Sequence, residues 1–272
     1  MAFLEFNGGN IFYEVYGEGP SLIFLHGGGG NATSWYRQIP FFSKQYKCVV
    51  IDNRGFGRSY PYGPDVMNVA GYADDVFAIM DELEIQSAGL VCQSMGAWTG
   101  LRMAMKCPDR VWALATSSSP MGVNYPPAFQ DAMDLLKSLS DSDLAIEEAA
   151  LSKNFRENNP EDFWLYRHTN LFNTGALRGD DLGIPPQAII ASMFSPDIAI
   201  QPDQLADVKV PTLLMGGEED LLVKPSTPTA FAEYFGNAKL KIFTNSGHSP
   251  YVEVPTEFNE CVSEFLSDAQ TA

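Results

Sequence analysis

The residues most able to do chemistry begin with Ser94, in Val91-Cys92-Gln93-Ser94-Met95-Gly96. An apolar run precedes it and a helical pattern follows. A serine on a sharp strand-to-helix turn carries its hydroxyl above the sheet, where it can act as a nucleophile. Such a turn needs small residues two before and two after the serine. Gly96 meets that need, and Cys92 stands on the other side where glycine is usual. Read alone, the segment equally suits a serine capping a helix N-terminus. A nucleophilic serine needs a base, and the chain has three histidines, His26, His168 and His248. His248 lies in Asn245-Ser246-Gly247-His248-Ser249-Pro250, just past the strand pattern Leu240 to Phe243, where a ring can shuttle a proton. His26 reads as a structural histidine at a strand end, and His168 as a packed or surface one. Glu218, Glu219 and Asp220 follow another strand pattern, Thr212 to Met215, and bring carboxylates to a strand-end loop. Glu218 reads as part of a solvated turn. His26-Gly27-Gly28-Gly29-Gly30 follows a third apolar strand; its glycines let backbone N–H groups turn inward as half of an oxyanion hole. The other half would be the N–H of Met95, the residue after the serine. The loop lacks the Lys-Ser/Thr of a phosphate-binding loop.

These loops need strands and helices to hold them. Phe3 to Phe6 and Ile11 to Tyr16 flank Asn7-Gly8-Gly9-Asn10 and predict a β-hairpin. Ser21 to Leu25, Cys48 to Ile51, Ala88 to Cys92 and Val111 to Thr116 are short apolar runs, the pattern of strands buried on both faces. Helical spacing falls between them, over Val69 to Leu83 and Met95 to Cys107, with Pro108 as a stop. A final helix is expected from about Pro255 to Ser267. This alternation predicts a mostly parallel sheet with helices on both faces. Between Met121 and Ile200 the strand signal vanishes. Helical stretches take its place over Phe129 to Leu139, Asp143 to Phe155, Glu161 to Asn173 and Gln187 to Phe194. The expected organisation is a core of residues 1–120 and 201–272 with a helical cap over residues 121–200.

Composition narrows the function classes. With 17 Lys plus Arg against 34 Asp plus Glu, the net charge of −17 repels phosphate, so neither nucleic acid nor an anionic membrane is an expected partner. The four cysteines, Cys48, Cys92, Cys107 and Cys261, form no CxxC pair and lie in apolar segments; they read as buried thiols, not as a metal site. The N-terminal residues show neither a basic region nor an apolar one, which makes a cytoplasmic location the expectation.

In this order, and with the segments Asp52-Asn53-Arg54-Gly55-Phe56-Gly57-Arg58-Ser59 and Gly247-His248-Ser249-Pro250-Tyr251-Val252-Glu253-Val254-Pro255, the chain resembles the α/β-hydrolase family over nearly its whole length. The resemblance implies the α/β-hydrolase fold, an eight-stranded, mostly parallel sheet with helices on both faces and a helical cap. It implies Ser94, Asp220 and His248 as catalytic triad. Asp220 is chosen by the Gly-x-x-Asp arrangement of Gly217-Glu218-Glu219-Asp220. It implies Gly28, beside Met95, as the second oxyanion donor, with Gly27 the neighbouring alternative, and structural rather than catalytic parts for Asp52 and Arg54. Cys92 is the departure from the pattern. Serine at the elbow disfavours the relatives that use aspartate there, the epoxide hydrolases and haloalkane dehalogenases. The leading expectation is a cofactor-free serine hydrolase, monomer or homodimer, acting on small carboxylic esters or lactones. Three others stand beside it: a carbon–carbon bond hydrolase of dienoic diketones, a cofactor-free perhydrolase, and a ligand receptor that retains the triad. The second needs basic residues near the site, sought in the cap at Lys137, Lys153, Arg156, Arg167 and Arg178. Gly27, Trp35 and Trp164 are the candidate substrate contacts. Of the cap aromatics Phe129, Phe155, Phe163, Trp164, Tyr166 and Phe172, each individually reads first as cap core.

Overall fold

The computed structural model describes residues 2–59, 71–140, 146–171 and 198–271. Eight strands form one sheet: β1 (Ala2–Phe6), β2 (Gly9–Tyr16), β3 (Ser21–Leu25), β4 (Lys47–Ile51), β5 (Ala88–Gln93), β6 (Val111–Ser117), β7 (Thr212–Gly217) and β8 (Ala238–Phe243). Their spatial order is β1-β2-β4-β3-β5-β6-β7-β8. Only β1 and β2 run antiparallel to their neighbours. The β1–β2 turn is made by Asn7 and Gly8, both at positive φ (50° and 79°), the backbone that a two-residue hairpin demands.

The apolar runs are strands because both of their faces are covered. Along β3 the side chains alternate between two cores. Ile23 and Leu25 join Val76, Ile79, Leu101 and Phe231 on one face of the sheet. Leu22 and Phe24 join Trp35, Phe42, Phe258 and Leu266 on the other. The first core packs beneath α2 (Tyr72–Glu82) and α3 (Met95–Lys106). The second packs beneath the short α1 (Ile39–Phe42) and the C-terminal helix. β5 and β7, the strands that feed Ser94 and Asp220, are buried at every position.

The segment between β6 and β7 is helical where it is described: α4 (Pro126–Ser140), α5 (Ile146–Ala149), α6 (Lys153–Asn158) and α7 (Pro160–Leu171). It leaves and rejoins the sheet layer at one place. Val123 forms a parallel bridge with Ile200, Asn124 N donates to Ile200 O at 2.7 Å, and Ile200 N donates to Gly122 O at 2.9 Å. The chain closes with α8 (Ser226–Tyr234), α9 (Pro250–Glu253) and α10 (Pro255–Thr271).

Several boundaries differ from the sequence expectation. The single helix expected over Asp143 to Phe155 is broken at Ala150–Ser152. There Ser152 caps α6, its hydroxyl accepting from Phe155 N, and gives its own N–H to Glu253, a partner far away in sequence. β8 begins at Ala238 rather than Leu240, because pairing with β7 extends it. α10 runs on to Thr271. The helix expected over Gln187 to Phe194, and Phe172 and Arg178, lie outside the described residues. Among the described residues no helix is long and apolar enough to cross a membrane.

Candidate active site

Ser94 sits between β5 and α3 with φ 48° and ψ −114°, a backbone that a non-glycine residue holds only at a cost of about 1–3 kcal/mol. Its neighbours fix it there. Ser94 N donates to Ser117 O at 2.8 Å, and Ser94 O accepts from Ser119 Oγ at 2.6 Å. Gly96 is required because a Cβ there would overlap the Leu25 carbonyl. Cys92, in the usual glycine position, is accommodated from the far side. Gly100 faces it across α3, and a Cβ on Gly100 would lie 2.7 Å from Cys92 Sγ. Burial pushes the Cys92 thiol well above its ordinary pKa, so it stays protonated and offers no competing nucleophile.

Asp220 and His248 meet at the neighbouring strand ends. Asp220 is buried, and its Oδ2 and Oδ1 lie 2.9 and 3.1 Å from His248 Nδ1. A carboxylate beside Nδ1 assigns the proton to that nitrogen and leaves Nε2 as the free, basic end. Asp220 Oδ1 also accepts the N–H groups of Leu222 and Val223, each at 2.8 Å, which fixes the carboxylate plane. Glu218 and Glu219 of the same loop are exposed. A close approach of backbones brings the two loops together: a Cβ on Gly217 would overlap the Gly247 and Ser246 carbonyls.

His248 is held on both sides. Its N–H donates to Ala150 O at 3.1 Å, and its carbonyl accepts from Gln93 Nε2 at 3.3 Å. Glu253 Oε1 accepts from Gly247 N at 2.9 Å and Ser249 N at 3.3 Å, while Oε2 accepts Ser152 N at 2.8 Å. One carboxylate thus ties the histidine loop to the helical insertion. Burial raises its pKa, and the N–H donors oppose that rise.

In the glycine loop the His26 ring is fully buried. Its Nε2 accepts Asn53 N–H at 2.9 Å, so Nδ1 carries the proton and donates to Gly27 O at 2.7 Å. Burial also lowers its pKa, so the ring stays neutral and structural. Asp52 is spent likewise, on Ala32 N and the Arg58 guanidinium, and Arg54 pairs with buried Asp75. A Cβ on Gly27 would displace the end of the Gln93 side chain, whose amide holds the His248 carbonyl. A Cβ on Gly28 would meet nothing within 4 Å. Among the described hydrogen bonds, neither Gly28 N–H nor Met95 N–H is spent on a protein acceptor. Met95 also opens α3, whose dipole favours negative charge at that end.

A cavity of about 160 Å³ is lined by Gly28, Ser94, Met95 and His248 together. Much of the rest of its lining is apolar, with Trp98, Pro120, Leu135, Leu136, Leu222 and Val223. Of the substrate contacts expected from sequence, none is in this lining. Trp35 is fully buried against Phe24 and Tyr251, with ring centroids 5.3 and 5.1 Å away. Trp164 is half exposed beside Phe163 and Arg167. Gly27 serves the packing of Gln93. The cap aromatics Phe155 and Tyr166 are core, as their helical spacing implied. The lining residues not foreseen from sequence are mostly aliphatic, with Trp98 the aromatic among them. Leu135 and Leu136 lie in α4, Leu222 and Val223 just past Asp220, and Trp98 one turn into the helix after Ser94. The last three could have been found from their closeness in sequence to the triad candidates.

A family model described as the alpha/beta hydrolase fold matches residues 20–255. The chain is an α/β-hydrolase. Among similar proteins, this hydrolase is 28% identical to "Putative carbamate hydrolase RutD" of Caulobacter sp. (strain K31), over 94% of this chain and 96% of that one. It is also 28% identical to the 2-hydroxy-6-oxo-6-phenylhexa-2,4-dienoate hydrolase of Comamonas testosteroni, over 94% and 91%. Among solved structures, Est816, described as an N-acyl homoserine lactone degrading enzyme, superposes with a TM-score of 0.78 at 28% identity; the match covers 97% of this hydrolase and 100% of that chain.

Proposed function

We propose that this hydrolase cleaves small carboxylic esters or lactones through an acyl-enzyme on Ser94. One observation carries the reading: Ser94 at its positive-φ turn lines one cavity with His248, whose Nδ1 is already engaged by Asp220, and with Gly28 and Met95, whose N–H groups are unspent among the described hydrogen bonds. In the proposed reaction His248 Nε2 takes the Ser94 proton as Oγ adds to the carbonyl carbon. Asp220 holds the ring's tautomer and stabilises the imidazolium. Gly28 and Met95 N–H groups receive the oxyanion. The imidazolium protonates the departing alkoxide, which for a lactone stays on the acyl chain. His248 then takes a proton from water, hydroxide adds to the acyl carbon, and Ser94 leaves with the proton returned by the ring. No step calls for a metal or organic cofactor.

Likeness to Est816 supports the lactone side of this reading. Likeness to the Comamonas enzyme supports carbon–carbon hydrolysis as the second reading. We rank it second because Lys137, Lys153, Arg156 and Arg167 all lie outside the described cavity lining, and the cation inside it, Lys224, is paired. The test is fluorophosphonate labelling joined to steady-state kinetics on short p-nitrophenyl esters. Labelling at Ser94 and turnover are expected, and Ser94→Ala should lose both while keeping its melting temperature. A wild-type protein that neither labels nor turns over any ester or lactone would sink the proposal.

A further inference from the structure

The described cavity wall carries two charged side chains, and they form one ion pair. Lys224 Nζ donates to Asp131 Oδ1 at 2.6 Å, and both residues line the cavity that holds Ser94 and His248. The partners come from different parts of the fold. Asp131 belongs to α4 of the insertion, and Lys224 lies four residues past Asp220 in the loop after β7. The Asp131 side chain is 18% exposed and that of Lys224 is 53%, so the carboxylate is the more deeply set of the two. Around Asp131, Ala128, Ala132 and Leu135 give α4 an aliphatic face toward the same space.

We propose that the Asp131–Lys224 pair is the specificity element of the acyl pocket, admitting uncharged chains and rejecting chains that end in a carboxylate. This names the substrate class for the acyl-transfer reading above and rests on it. A terminal methyl group meets only the aliphatic face of α4. A terminal carboxylate has to draw Lys224 away from Asp131 and then lies beside an unpaired second anion, the partly buried Asp131. Rejection therefore works by a repulsive element rather than by better contacts to the preferred chain. Without Asp131, the same lysine, still under the weaker influence of Asp134 one turn along α4, becomes an attractive partner for the carboxylate.

The experiment compares p-nitrophenyl hexanoate with mono-p-nitrophenyl adipate, two acyl chains of equal length that differ in a terminal methyl or carboxylate. Wild type should prefer the hexanoate. Asp131→Asn should raise the adipate-to-hexanoate ratio of kcat/KM about fivefold, the upper range for a partly exposed charge pair. Adding Lys224→Met to Asp131→Asn should abolish that gain. Asp268→Asn removes the same charge from a surface pair with Lys239, outside the cavity lining, and should leave the ratio unchanged. A ratio in Asp131→Asn within twofold of wild type, or an equal rise in Asp268→Asn, overturns the proposal. Calorimetric binding of hexanamide and adipic acid monoamide, in Ser94→Ala with and without Asp131→Asn, reads the pocket without turnover. Should catalysis at Ser94 fail its own test, a shift toward the anionic amide in this series still supports the pair's role. An unshifted series overturns it.

Discussion

At Ser94 the strained backbone, the two hydrogen bonds that hold it and the missing side chain at Gly96 occur together at one turn. Cys92 shows how one departure from a pattern is absorbed: the volume added by its side chain is space that Gly100 leaves free one layer away. Among the three carboxylates after β7, burial selects. Asp220 touches His248 Nδ1, while Glu218 and Glu219 face solvent. Asp220→Asn should therefore lower kcat severely, by up to about 10⁴-fold if the serine-protease behaviour carries over, because the amide permits the wrong imidazole tautomer. Glu218→Gln and Glu219→Gln should each stay within about threefold of wild type, as exposed substitutions away from the ring usually do. Steady-state kinetics on one short ester checks all three, and a larger loss in Glu219→Gln would move the acid by one residue.

The elements differ in how they reach the site. β5 and β7 deliver Ser94 and Asp220 directly from their carboxyl ends. The helical insertion instead reaches His248 through backbone contacts, Ala150 O on the histidine N–H and Ser152 N on Glu253. Glu253 is the junction, and its pKa is raised above the ordinary 4.5 mainly by burial. The folded state holds this proton more tightly than the unfolded chain, so the stability it contributes is complete below pH 4.5 and declines as pH rises through the raised folded value. The stability difference between wild type and Glu253→Gln, from urea unfolding at a series of pH values, should become less favourable to wild type as pH climbs through that window. A pH-independent difference would mean that Glu253 titrates alike in both states. Because Glu253 grips the residues on either side of His248, the same variant should also lower kcat more than it changes KM, by roughly tenfold, as supporting hydrogen bonds beyond the reacting groups commonly do.

Over the whole molecule the dominant quantity is a net charge of −17. It acts at long range on any charged substrate before the cavity is reached. Raising ionic strength from about 10 to about 150 mM shortens the screening length from about 30 to about 8 Å. The adipate half-ester should then gain kcat/KM relative to the hexanoate, by roughly twofold or more at this net charge. The same gain is expected in Asp131→Asn, because screening acts on the global field and the ion pair acts locally. A salt-independent ratio in wild type would show that the global charge does not influence approach to the site.

Much of this protein follows from local sequence. Doubly buried strands announce themselves as short apolar runs, because neither face tolerates polar groups. Asn7-Gly8 dictates a hairpin through its backbone freedom. Ser94, Asp220 and His248 stand at the strand ends, where a sheet of this kind presents its loops. Tertiary structure decided what depends on distant partners. The helix expected over Asp143 to Phe155 is interrupted because Ser152 N–H is claimed by Glu253, 101 positions away. Trp35, by its place after the glycine loop, and Trp164, among cap aromatics that read first as core, are candidate substrate contacts from sequence. Packing assigned one to the core and the other to the surface, and left the cavity lining mostly to aliphatic side chains, which carry no signal of their own, with Trp98 as its aromatic member. The pairing of Asp131 with Lys224 belongs to the same class, since two charges 93 residues apart meet only when the insertion folds back over the loop that carries Asp220.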